Sequence, residues 1–469
     1  MMKPEEFRKH AHQLVDWMLD YYENIDKFPV KSQVSPGEIL SKLPASAPQS
    51  GESMDQILKD FNELILPGMT HWQNPNFFAY FPANASFPSL LAEMLTATLA
   101  SQCMIWDTSP AAAELEEQMM NWLKQMTGLP TDWAGVIQDG ASTATLTAIL
   151  TARETKSAYR INKEGFNNGQ QFRVYCSTET HSSVEKAVKI AGLGKSNLIK
   201  IAVDDSLAMD AKALEKAIAK DLSAGFIPLC VIAALGTTGT TAMDPLEPIA
   251  SICKKHEIWL HVDAAYAGTA LLLPEYRWMI EGIEEVDSFV FNPHKWMFTH
   301  FDCTAYFVKD EEALVRTFEI LPEYLKTQSR GKVKDYRDWG IPMGRRFRAL
   351  KLWFVIRSFG IEGLQTKIRK HIQLAERFES WVLDHPDFEI MTKRTLNLVC
   401  FRYHPHGISN EVEINQLNEN LENSINSEGN IFLTHTKVHG KYTLRMVIAQ
   451  TNVEEKHVEE AWGVILSNL

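Results

Sequence analysis

The chain of 469 residues lacks the features that mark several large classes of protein. Its six cysteines are scattered and form no Cys-x-x-Cys, so neither a disulfide framework nor a thiol metal site is indicated. No run of eighteen apolar residues occurs, and no membrane-spanning helix is expected. The N-terminus lacks the apolar core of a signal peptide. The net charge of −12, from 47 basic and 59 acidic residues, argues against a nucleic-acid-binding protein.

Common metal-binding patterns are also missing from the sequence. No His-Glu-x-x-His or similar spacing occurs, so we expect no metal site. Several cysteines lie inside apolar runs, such as Cys230-Val231-Ile232 and Val399-Cys400-Phe401. Buried free thiols are typical of a reducing compartment, and a cytoplasmic location is therefore expected.

The composition is that of a globular chain with more than one domain. The apolar fraction of 45% and the charged fraction of 23% are ordinary, and the length predicts roughly two to four domains. Short apolar runs alternate with helical stretches through the middle of the chain, which predicts an α/β domain with a largely parallel sheet. The predicted strands are Phe172–Cys176, Leu198–Ile201, Leu229–Leu235, Trp259–Asp263, Ser288–Asn292 and Thr304–Val308.

The two ends of the chain differ from this middle part. Helices predicted over residues 4–23 and 54–66 cannot bury much apolar surface alone, so residues 1–86 are expected to pack on a partner subunit. Residues 87–350 are predicted to form the large α/β domain. Beyond them, a long helix and two strand-like runs, Leu396–Tyr403 and Tyr442–Ile448, predict a small α+β domain over residues 351–469.

Two polar residues that follow apolar runs point to a cofactor. Lys295 lies in Asn292-Pro293-His294-Lys295-Trp296, after Phe289-Val290-Phe291, and Asp263 follows another apolar run at a predicted strand end. A lysine for a Schiff base and a carboxylate for a pyridinium nitrogen are what pyridoxal phosphate needs from a protein. Simpler interpretations are a surface charge for Lys295 and a cap on the following turn for Asp263.

Further groups near predicted strand ends would complete such a site. Gly140-Ala141-Ser142-Thr143 opens a helix whose free N–H groups suit a phosphate, although Ser142 is also compatible with a simple cap. Asn292 and Thr238 are polar groups at predicted strand ends. Ala265 is expected to point the same way as Asp263 along the strand, and its methyl group suits one face of a flat ring.

Three more segments are candidates for a binding site. His181 is placed to stack on the other face of such a ring, or it is a hydrogen-bonded structural histidine. The aromatic run from His71 to Pro82 follows neither a helical nor a strand period, which leaves room for a ligand wall. Residues 326–337 are polar and basic around a central glycine and are interpreted as a mobile lid, with Tyr324 at its foot.

Taken together, these segments resemble the group II pyridoxal-phosphate-dependent amino-acid decarboxylases, especially the aromatic-L-amino-acid decarboxylases. The resemblance covers essentially the whole chain. It implies a fold-type-I, aspartate-aminotransferase-like architecture with a mostly parallel seven-stranded sheet, and an intertwined homodimer with its active site at the subunit interface. The segments that carry it include Thr70–Trp72, Phe77–Pro82, His181–Glu185, Leu235–Thr238, His261–Gly268, Asn292–Trp296 and Gly344–Arg348.

The resemblance implies a role for each matching residue. Lys295 corresponds to the Schiff-base lysine, Asp263 to the pyridinium partner and His181 to the stacking ring. The implied cofactor contacts also include Ala141, Ser142, Thr238, Ala265, Asn292 and His294. The implied contacts with an amino-acid substrate are Trp72, Tyr80, Phe81, Pro82, Ala83, His181 and Gly344.

The implied reaction is the conversion of an aromatic L-amino acid to its arylalkylamine and CO2. Tyr324 resembles the tyrosine that protonates the α-carbon, whereas relatives that form aldehydes carry phenylalanine there, so amine is the expected product. Gly344 matches a position where glycine admits indole-type side chains. Three departures bear on specificity: Ala83 replaces a common threonine, and Gln102 and Met104 stand where apolar and aromatic residues are usual.

Other functions remain compatible with the sequence. They include decarboxylation of another L-amino acid, such as histidine, and aldehyde synthesis. Transamination would require a carboxylate clamp, for which Arg445 is a candidate, but an ion-paired strand arginine is the preferred interpretation of that residue and the resemblance favours decarboxylation. A catalytically silent scaffold would have lost Lys295 or Tyr324, and the chain has both.

Overall fold

The computed structural model describes residues 2–166, 169–320 and 332–469. These residues form two compact units. The first unit comprises Met1–Pro82, Leu374–Met391 and Val399–Leu469, and the second comprises Ala83–Gln373 and Thr392–Leu398. The domain boundaries after residues 86 and 350 stay predictions.

Helices and strands alternate along most of the chain. The α-helices in the part that the structure describes are α1 (Pro4–Glu23), α2 (Glu38–Lys42), α3 (Met54–Asp60), α4 (Phe87–Leu99), α5 (Pro110–Thr127), α6 (Ala141–Lys156), α7 (Arg160–Glu164), α8 (Ser183–Ile190), α9 (Ala211–Ser223), α10 (Leu246–His256), α11 (Pro293–Trp296), α12 (Glu311–Phe318), α13 (Arg348–Asp384), α14 (Glu411–Glu428) and α15 (Glu455–Ser467). The strands are β1 (Ala134–Gln138), β2 (Phe172–Ser177), β3 (Leu198–Ile201), β4 (Ile227–Ala234), β5 (Trp259–Asp263), β6 (Ser288–Phe291), β7 (Thr304–Val308), β8 (Phe388–Ile390), β9 (Leu398–Tyr403), β10 (Thr434–Val438) and β11 (Lys441–Val447).

The second unit is built on a seven-stranded sheet with the order β1-β7-β6-β5-β4-β2-β3. Strands β3, β2, β4, β5 and β6 are parallel to one another. Strand β7 runs antiparallel to both β6 and β1. Two reversals restore the original direction, so β1 points the same way as the five parallel strands. The carboxyl ends of these six strands therefore share one edge of the sheet.

Side-chain alternation along β2 explains why helices cover both faces of this sheet. Val174 and Cys176 point to one face and pack in a cluster with residues of α6 and α8, including Ile149 and Val184. Tyr175 points to the other face, where its hydroxyl donates to Asp221 of α9 over 2.9 Å. The strands are buried almost throughout, as expected for a parallel sheet covered on both sides.

The first unit contains a four-stranded sheet with the order β10-β11-β9-β8. Strands β10 and β11 form an antiparallel hairpin whose turn residues, His439 and Gly440, both have positive φ, as a type I′ turn requires. The apolar face of the four-stranded sheet packs on α13, α14 and α15 through a cluster that includes Phe378, Phe401 and Ile465. This arrangement is the small C-terminal α+β fold that the sequence predicts.

The N-terminal helices of the first unit leave much apolar surface open. Helix α1 buries only His10, while Trp17 packs edge-to-face on Phe61 after α3 and donates to Asn62 over 2.9 Å. Large apolar residues on α1 stay exposed, among them Phe7 and Val15. None of the helices described here is long and apolar enough to cross a membrane.

The predicted mostly parallel α/β sheet is confirmed, and the predicted strands match β2 to β7 within a residue or two at each end. The long predicted C-terminal helix is also present, but Gly360 interrupts α13 with a φ of 64° and a ψ of 171°. Strands β8 and β10 were not predicted. Helix α4 was not predicted either.

Candidate active site

Four neighbouring strands of the second unit deliver the predicted residues to one sheet edge. Asp263 is the last residue of β5 and pairs with Ala234 of β4 and Val290 of β6. His181 follows the end of β2, and Lys295 lies in the single turn of α11 that follows β6. Ligands of open α/β sheets bind at the carboxyl ends of the strands, so the topology itself marks this edge as the site.

Asp263 is a buried carboxylate fixed by the backbone. Its Oδ1 accepts the N–H of Ala265 over 3.0 Å, and its own carbonyl accepts the N–H of Leu235 over 2.9 Å. The alternative interpretation of Asp263 as a cap on the next turn is therefore correct as far as one oxygen is concerned. A carboxylate has a second oxygen, so capping does not prevent this group from also serving a ligand.

Lys295 sits where its amine is poorly solvated. Burial lowers the pKa of Lys295, and the negative charge of Asp263 opposes that shift only in part. Lys295 is only partly exposed, which argues against the simpler interpretation as a solvated surface charge. A depressed pKa leaves more of the amine neutral and nucleophilic near neutral pH.

The charges of Asp263 and Lys295 both act on the pKa of His181. Burial of its ring nitrogens lowers the pKa of His181, Asp263 raises it, and Lys295 lowers it further. The Ser183 N–H donates to Nδ1 over 3.1 Å, which assigns the remaining proton of the neutral ring to Nε2. The residue as a whole is exposed, and its ring is held at Nδ1.

Trp296, the residue after Lys295, is held by an aromatic contact and a hydrogen bond. Trp296 stacks on Tyr266 with ring centroids 5.0 Å apart, and its Nε1 donates to Nδ1 of the buried His371 over 3.0 Å. The Tyr266 hydroxyl and the Asn397 side chain are hydrogen-bonded, with Oδ1 2.9 Å from that hydroxyl. Sequence reasoning missed His371 and Asn397, because each lies far along the chain from its partner.

The candidate phosphate-binding groups also lie at this edge. Strand β1 ends at Gln138, and Ala141 and Ser142 are the first residues of α6, whose N-cap is Gly140 and lacks a side-chain cap. Ser142 is the second residue of the helix and does not occupy the N-cap, so its hydroxyl is not a simple N-cap. A helix start of this kind offers N–H groups and a positive dipole end to an anion.

Thr238, Asn292 and His294 surround the same edge. Thr238 is exposed in the turn after β4, where Gly236 has a φ of 83° and a Cβ would lie 2.7 Å from that of Ala267. Asn292 is buried and accepts the Thr304 hydroxyl over 2.8 Å. Burial lowers the pKa of His294 to about 3, with its ring nitrogen 2.8 Å from the Cys303 carbonyl.

Ala265 lies in a turn and not on strand β5. Strand β5 ends at Asp263, and Ala264 and Ala265 already belong to the turn that follows. The expectation that Ala265 shares a strand face with Asp263 is therefore wrong. Ala265 is still only partly buried and is tied to Asp263 by the backbone hydrogen bond described above.

Gly344 and Gln102 are neighbours in the second unit. A Cβ on Gly344 would lie 3.2 Å from Nε2 of Gln102, and Oε1 of Gln102 accepts the N–H of Arg345 over 2.7 Å. Arg345 is in turn buried against Glu116. Gln102 thus fixes the backbone beside Gly344, which explains how a polar residue is accommodated where the family usually has an apolar one.

The aromatic segment lies in the first unit. Trp72 and Tyr80 stack with centroids 6.0 Å apart, and both are exposed. Tyr80 has a φ of 52°, while Phe81 and Pro82 are buried. Arg445, the candidate clamp for transamination, donates to the Thr434 hydroxyl over 2.9 Å and lies 5.6 Å from the centroid of the Phe81 ring.

Tyr324 and the first half of the predicted lid, residues 326–331, lie outside the described residues. Ala83 is partly buried at the start of the second unit. Within residues 2–166, 169–320 and 332–469, no cluster of histidine, cysteine or acidic side chains could hold a metal ion.

This set of groups fits pyridoxal phosphate. It offers an amine of lowered pKa, a fixed buried carboxylate, a helix start for a phosphate and an open imidazole face for a planar ring. Residues 36–404 match the pyridoxal-dependent decarboxylase conserved domain, and the chain belongs to that family.

Similar proteins extend over nearly the whole chain. Tryptophan decarboxylase 2 of Oryza sativa subsp. japonica is 43% identical and covers 99% of this chain and 94% of its own length. Phenylacetaldehyde synthase of Arabidopsis thaliana is 44% identical, with 99% and 96% covered. A crystal structure of Oryza sativa TDC with PLP and tryptamine superposes with a TM-score of 0.96 at 35% identity, covering 100% of this chain and 98% of that one. The predicted fold-type-I architecture, dependence on pyridoxal phosphate and decarboxylase activity are confirmed.

Proposed function

We propose that this protein decarboxylates an aromatic L-amino acid to the corresponding arylalkylamine and CO2. One observation carries the proposal: Lys295, in the single helical turn after β6, and Asp263, the last residue of the neighbouring β5, lie at the edge where the parallel strands end. Burial lowers the pKa of Lys295, and Asp263 opposes that shift. Tuned pKa values of this kind cluster at functional sites. The tryptophan and tyrosine decarboxylases among the relatives support an aromatic substrate.

The cofactor and the protein divide the chemistry between them. Bound pyridoxal phosphate supplies an electron sink for the bond between the α-carbon and the carboxylate. Lys295 supplies the amine that anchors the cofactor, and its lowered pKa favours the neutral nucleophile. Asp263 holds a proton at the cofactor's ring nitrogen, because a buried carboxylate fixed by the Ala265 N–H favours a positive partner.

The remaining residues orient the cofactor and the substrate. His181 offers its exposed ring face to the cofactor and keeps a proton on Nε2. The phosphate is assigned to the backbone N–H groups at the start of α6. Residues assigned to the rest of the cofactor site are Ala141, Ser142, Thr238, Ala265, Asn292 and His294. Tyr324 is assigned, on the family resemblance, to deliver a proton to the substrate α-carbon.

Aromatic side chains are favoured by two features. Exposed Trp72 and Tyr80 form a stacked pair that offers aromatic surface, and their assigned neighbours are Phe81, Pro82 and Ala83. Gly344 lacks a side chain, which leaves width for an indole ring. Arg445 already bonds Thr434, which weakens the transaminase alternative.

Aldehyde synthesis is the second candidate function. It is favoured by the 44% identical relative named phenylacetaldehyde synthase. The tyrosine at position 324 favours the amine instead, because a hydroxyl can protonate the α-carbon and phenylalanine cannot.

The assembly proposed for this activity is a cytoplasmic homodimer with its active sites at the subunit interface. Two helices carry exposed apolar stripes that a second copy would cover. On α1 these residues include Phe7, Leu14, Val15 and Leu19, and on α4 they include Phe87, Leu91, Leu95 and Leu99. All six cysteines are buried, which is compatible with a reducing compartment.

Product analysis tests the proposed reaction. Purified protein with pyridoxal phosphate is given tryptophan, 5-hydroxytryptophan, Dopa, tyrosine, phenylalanine and histidine in turn, and amine, CO2, aldehyde and peroxide are measured. We expect amine and CO2 in equal amounts from at least one aromatic substrate, with little aldehyde. Aldehyde and peroxide as main products would select the second candidate, and turnover of histidine alone would overturn the aromatic assignment.

A further inference from the structure

The chain just before α4 holds the segment that carries Lys295. Asn84 is buried, with 1% of its surface exposed, and lies 211 residues from Lys295 in sequence. Its backbone N–H donates to the His294 carbonyl over 3.0 Å. Its side-chain Nδ2 donates to the Lys295 carbonyl over 2.6 Å. One residue therefore serves two consecutive carbonyls of the lysine segment.

These two carbonyls need an outside donor. Helix α11 is only four residues long, and the last carbonyls of any helix lack a donor from the next turn. A single helical turn is also unstable without external contacts. Asn84 supplies donors at the end of α11, and so it fixes the backbone from which the Lys295 side chain extends.

Two serines extend the same contact. The Ser86 hydroxyl donates to the Phe298 carbonyl over 2.8 Å, and the Ser89 hydroxyl accepts the His300 N–H over 2.7 Å. Ser86 occupies the N-cap of α4 but makes no side-chain cap there. Its hydroxyl is thus used on the lysine segment and not on its own helix.

We infer that Asn84 is a positioning residue for Lys295, acting through the lysine backbone to fix where the amine meets the cofactor. The inference rests on the proposed role of Lys295. A displacement of about 1 Å at a reacting group is enough to cost on the order of 100-fold in rate. Replacing the Asn84 amide removes the hydrogen bond to the Lys295 carbonyl and leaves the backbone bond to the His294 carbonyl in place.

The test compares Asn84→Asp with Asn426→Asp in the full-length holoenzyme. Each exchange keeps the side-chain shape and replaces an NH2 donor by an acceptor. Asn426 is a matched control, because it is also buried and its Nδ2 donates to one backbone carbonyl, that of Leu433, over 3.1 Å in the first unit. Four quantities are measured: kcat, KM, the pH midpoint of the cofactor's visible absorbance change, and the rate of cofactor loss on dialysis.

We expect Asn84→Asp to lower kcat by roughly 10- to 100-fold with a smaller change in KM, to shift the absorbance midpoint and to speed cofactor loss roughly 10-fold. Asn426→Asp should lower the urea midpoint but leave the kcat and absorbance profile of the wild type. Ser86→Ala removes a bond to Phe298, three residues further along the chain than Lys295, and its kcat and absorbance midpoint should lie between those of the two aspartate variants.

The inference would be overturned if Asn84→Asp kept the kcat and the absorbance profile of the wild type and had the same urea midpoint as Asn426→Asp. Asn84 would then be a structural residue only. If Asn84→Asp does not fold, Asn84→Ser carries the same readouts, since it shortens the donor without adding a charge, and an unchanged absorbance midpoint there would contradict the inference. A wild-type protein without cofactor absorbance would instead contradict the role of Lys295, so the two failures are distinguishable.

Discussion

Arg402 in the first unit and Lys295 in the second show two ways of placing a cation away from water. The Arg402 side chain is buried between Glu389 and Glu411, and it bonds both carboxylates directly. Lys295 lies in the field of Asp263, yet burial still lowers its pKa. An arginine enclosed by two carboxylates stays charged and serves the fold. A lysine that is only partly compensated gains a more reactive amine, at some expense in stability.

The same contrast holds for buried polar groups in general. In the first unit, the side-chain amides of Asn418 and Asn426 form hydrogen bonds with the backbone N–H and carbonyl groups of Tyr403 and Leu433, respectively. In the second unit, Oδ1 of Asp263 accepts the Ala265 N–H and Nδ1 of His181 accepts the Ser183 N–H. The second oxygen of Asp263 and the ring of His181 are the groups proposed to meet the cofactor.

Replacing each of the two cations by a neutral residue should give the largest effects, on activity for Lys295 and on stability for Arg402. We expect Lys295→Ala to lose activity by at least about 1,000-fold, because no other group supplies the anchoring amine. Its urea unfolding free energy should stay the same or rise, since a poorly solvated amine is removed. Arg402→Met should instead cost about 2 kcal/mol, discounted because both glutamates are partly exposed, and keep a wild-type kcat.

Activity assays and urea titrations of both variants provide the check. Loss of stability without loss of activity in Lys295→Ala would reverse the assignment of the two cations.

A glycine in each unit gives a second, smaller contrast. Gly344→Ser should lower kcat/KM for tryptophan roughly tenfold more than for tyrosine, because a Cβ there lies 3.2 Å from Nε2 of Gln102 and narrows the space assigned to an indole. Gly463→Ser in α15 is the control, since no atom lies within 4 Å of its Cβ position. Steady-state kinetics with both substrates measure the effect, and equal losses would remove Gly344 from the substrate site.

The contact between Trp296 and His371, beside Lys295, predicts a change in stability with pH and no change in substrate preference. Burial, and then the charges of Lys367 and Lys370, lower the pKa of His371 to about 3, and its Nδ1 accepts the Trp296 N–H. Between pH 6.5 and about 3 the unfolded chain binds a proton that the folded protein does not. The stability that His371 contributes is therefore present above pH 6.5 and is lost as the pH falls.

His371→Gln keeps an acceptor for Trp296 but does not titrate. Relative to this variant, the wild type should lose about 2 kcal/mol of unfolding free energy between pH 7 and pH 5, at about 1.4 kcal/mol per pH unit below 6.5. Urea titrations of both proteins at the two pH values give the difference, in which other titrating groups cancel. A difference that is the same at both pH values would mean that His371 is not held neutral.

Much of the second unit follows from local sequence. An apolar run that ends in one polar residue defines β5 with Asp263, and the predicted bounds of β3, β5 and β7 equal those observed. Lys295 and His181 are found by the same logic, because short loops after parallel strands keep residues at the sheet edge. These local signals do not depend on how distant parts of the chain meet.

Other features could not be read from local patterns. Strand β10, Thr434–Val438, contains mostly polar residues, and β8 has only three residues, so neither shows a clear period. The end of β5 was predicted correctly at Asp263, but the strand direction was extended to Ala265, which lies in the turn that follows. Ser86 before Phe87-Pro88 has the form of an ordinary helix cap, and its contact with Phe298 spans 212 residues. Spacing along the chain carries no signal for such contacts.

Borohydride reduction of the purified holoenzyme tests the central claim most directly. Reduction fixes the cofactor as a stable secondary amine on whichever lysine carries it, and peptide mass spectrometry locates that lysine. The account predicts that the visible absorbance disappears and that the pyridoxyl group is found on Lys295 in stoichiometric amount. A pyridoxyl group on another lysine, or none on a protein that still forms amine, would contradict it.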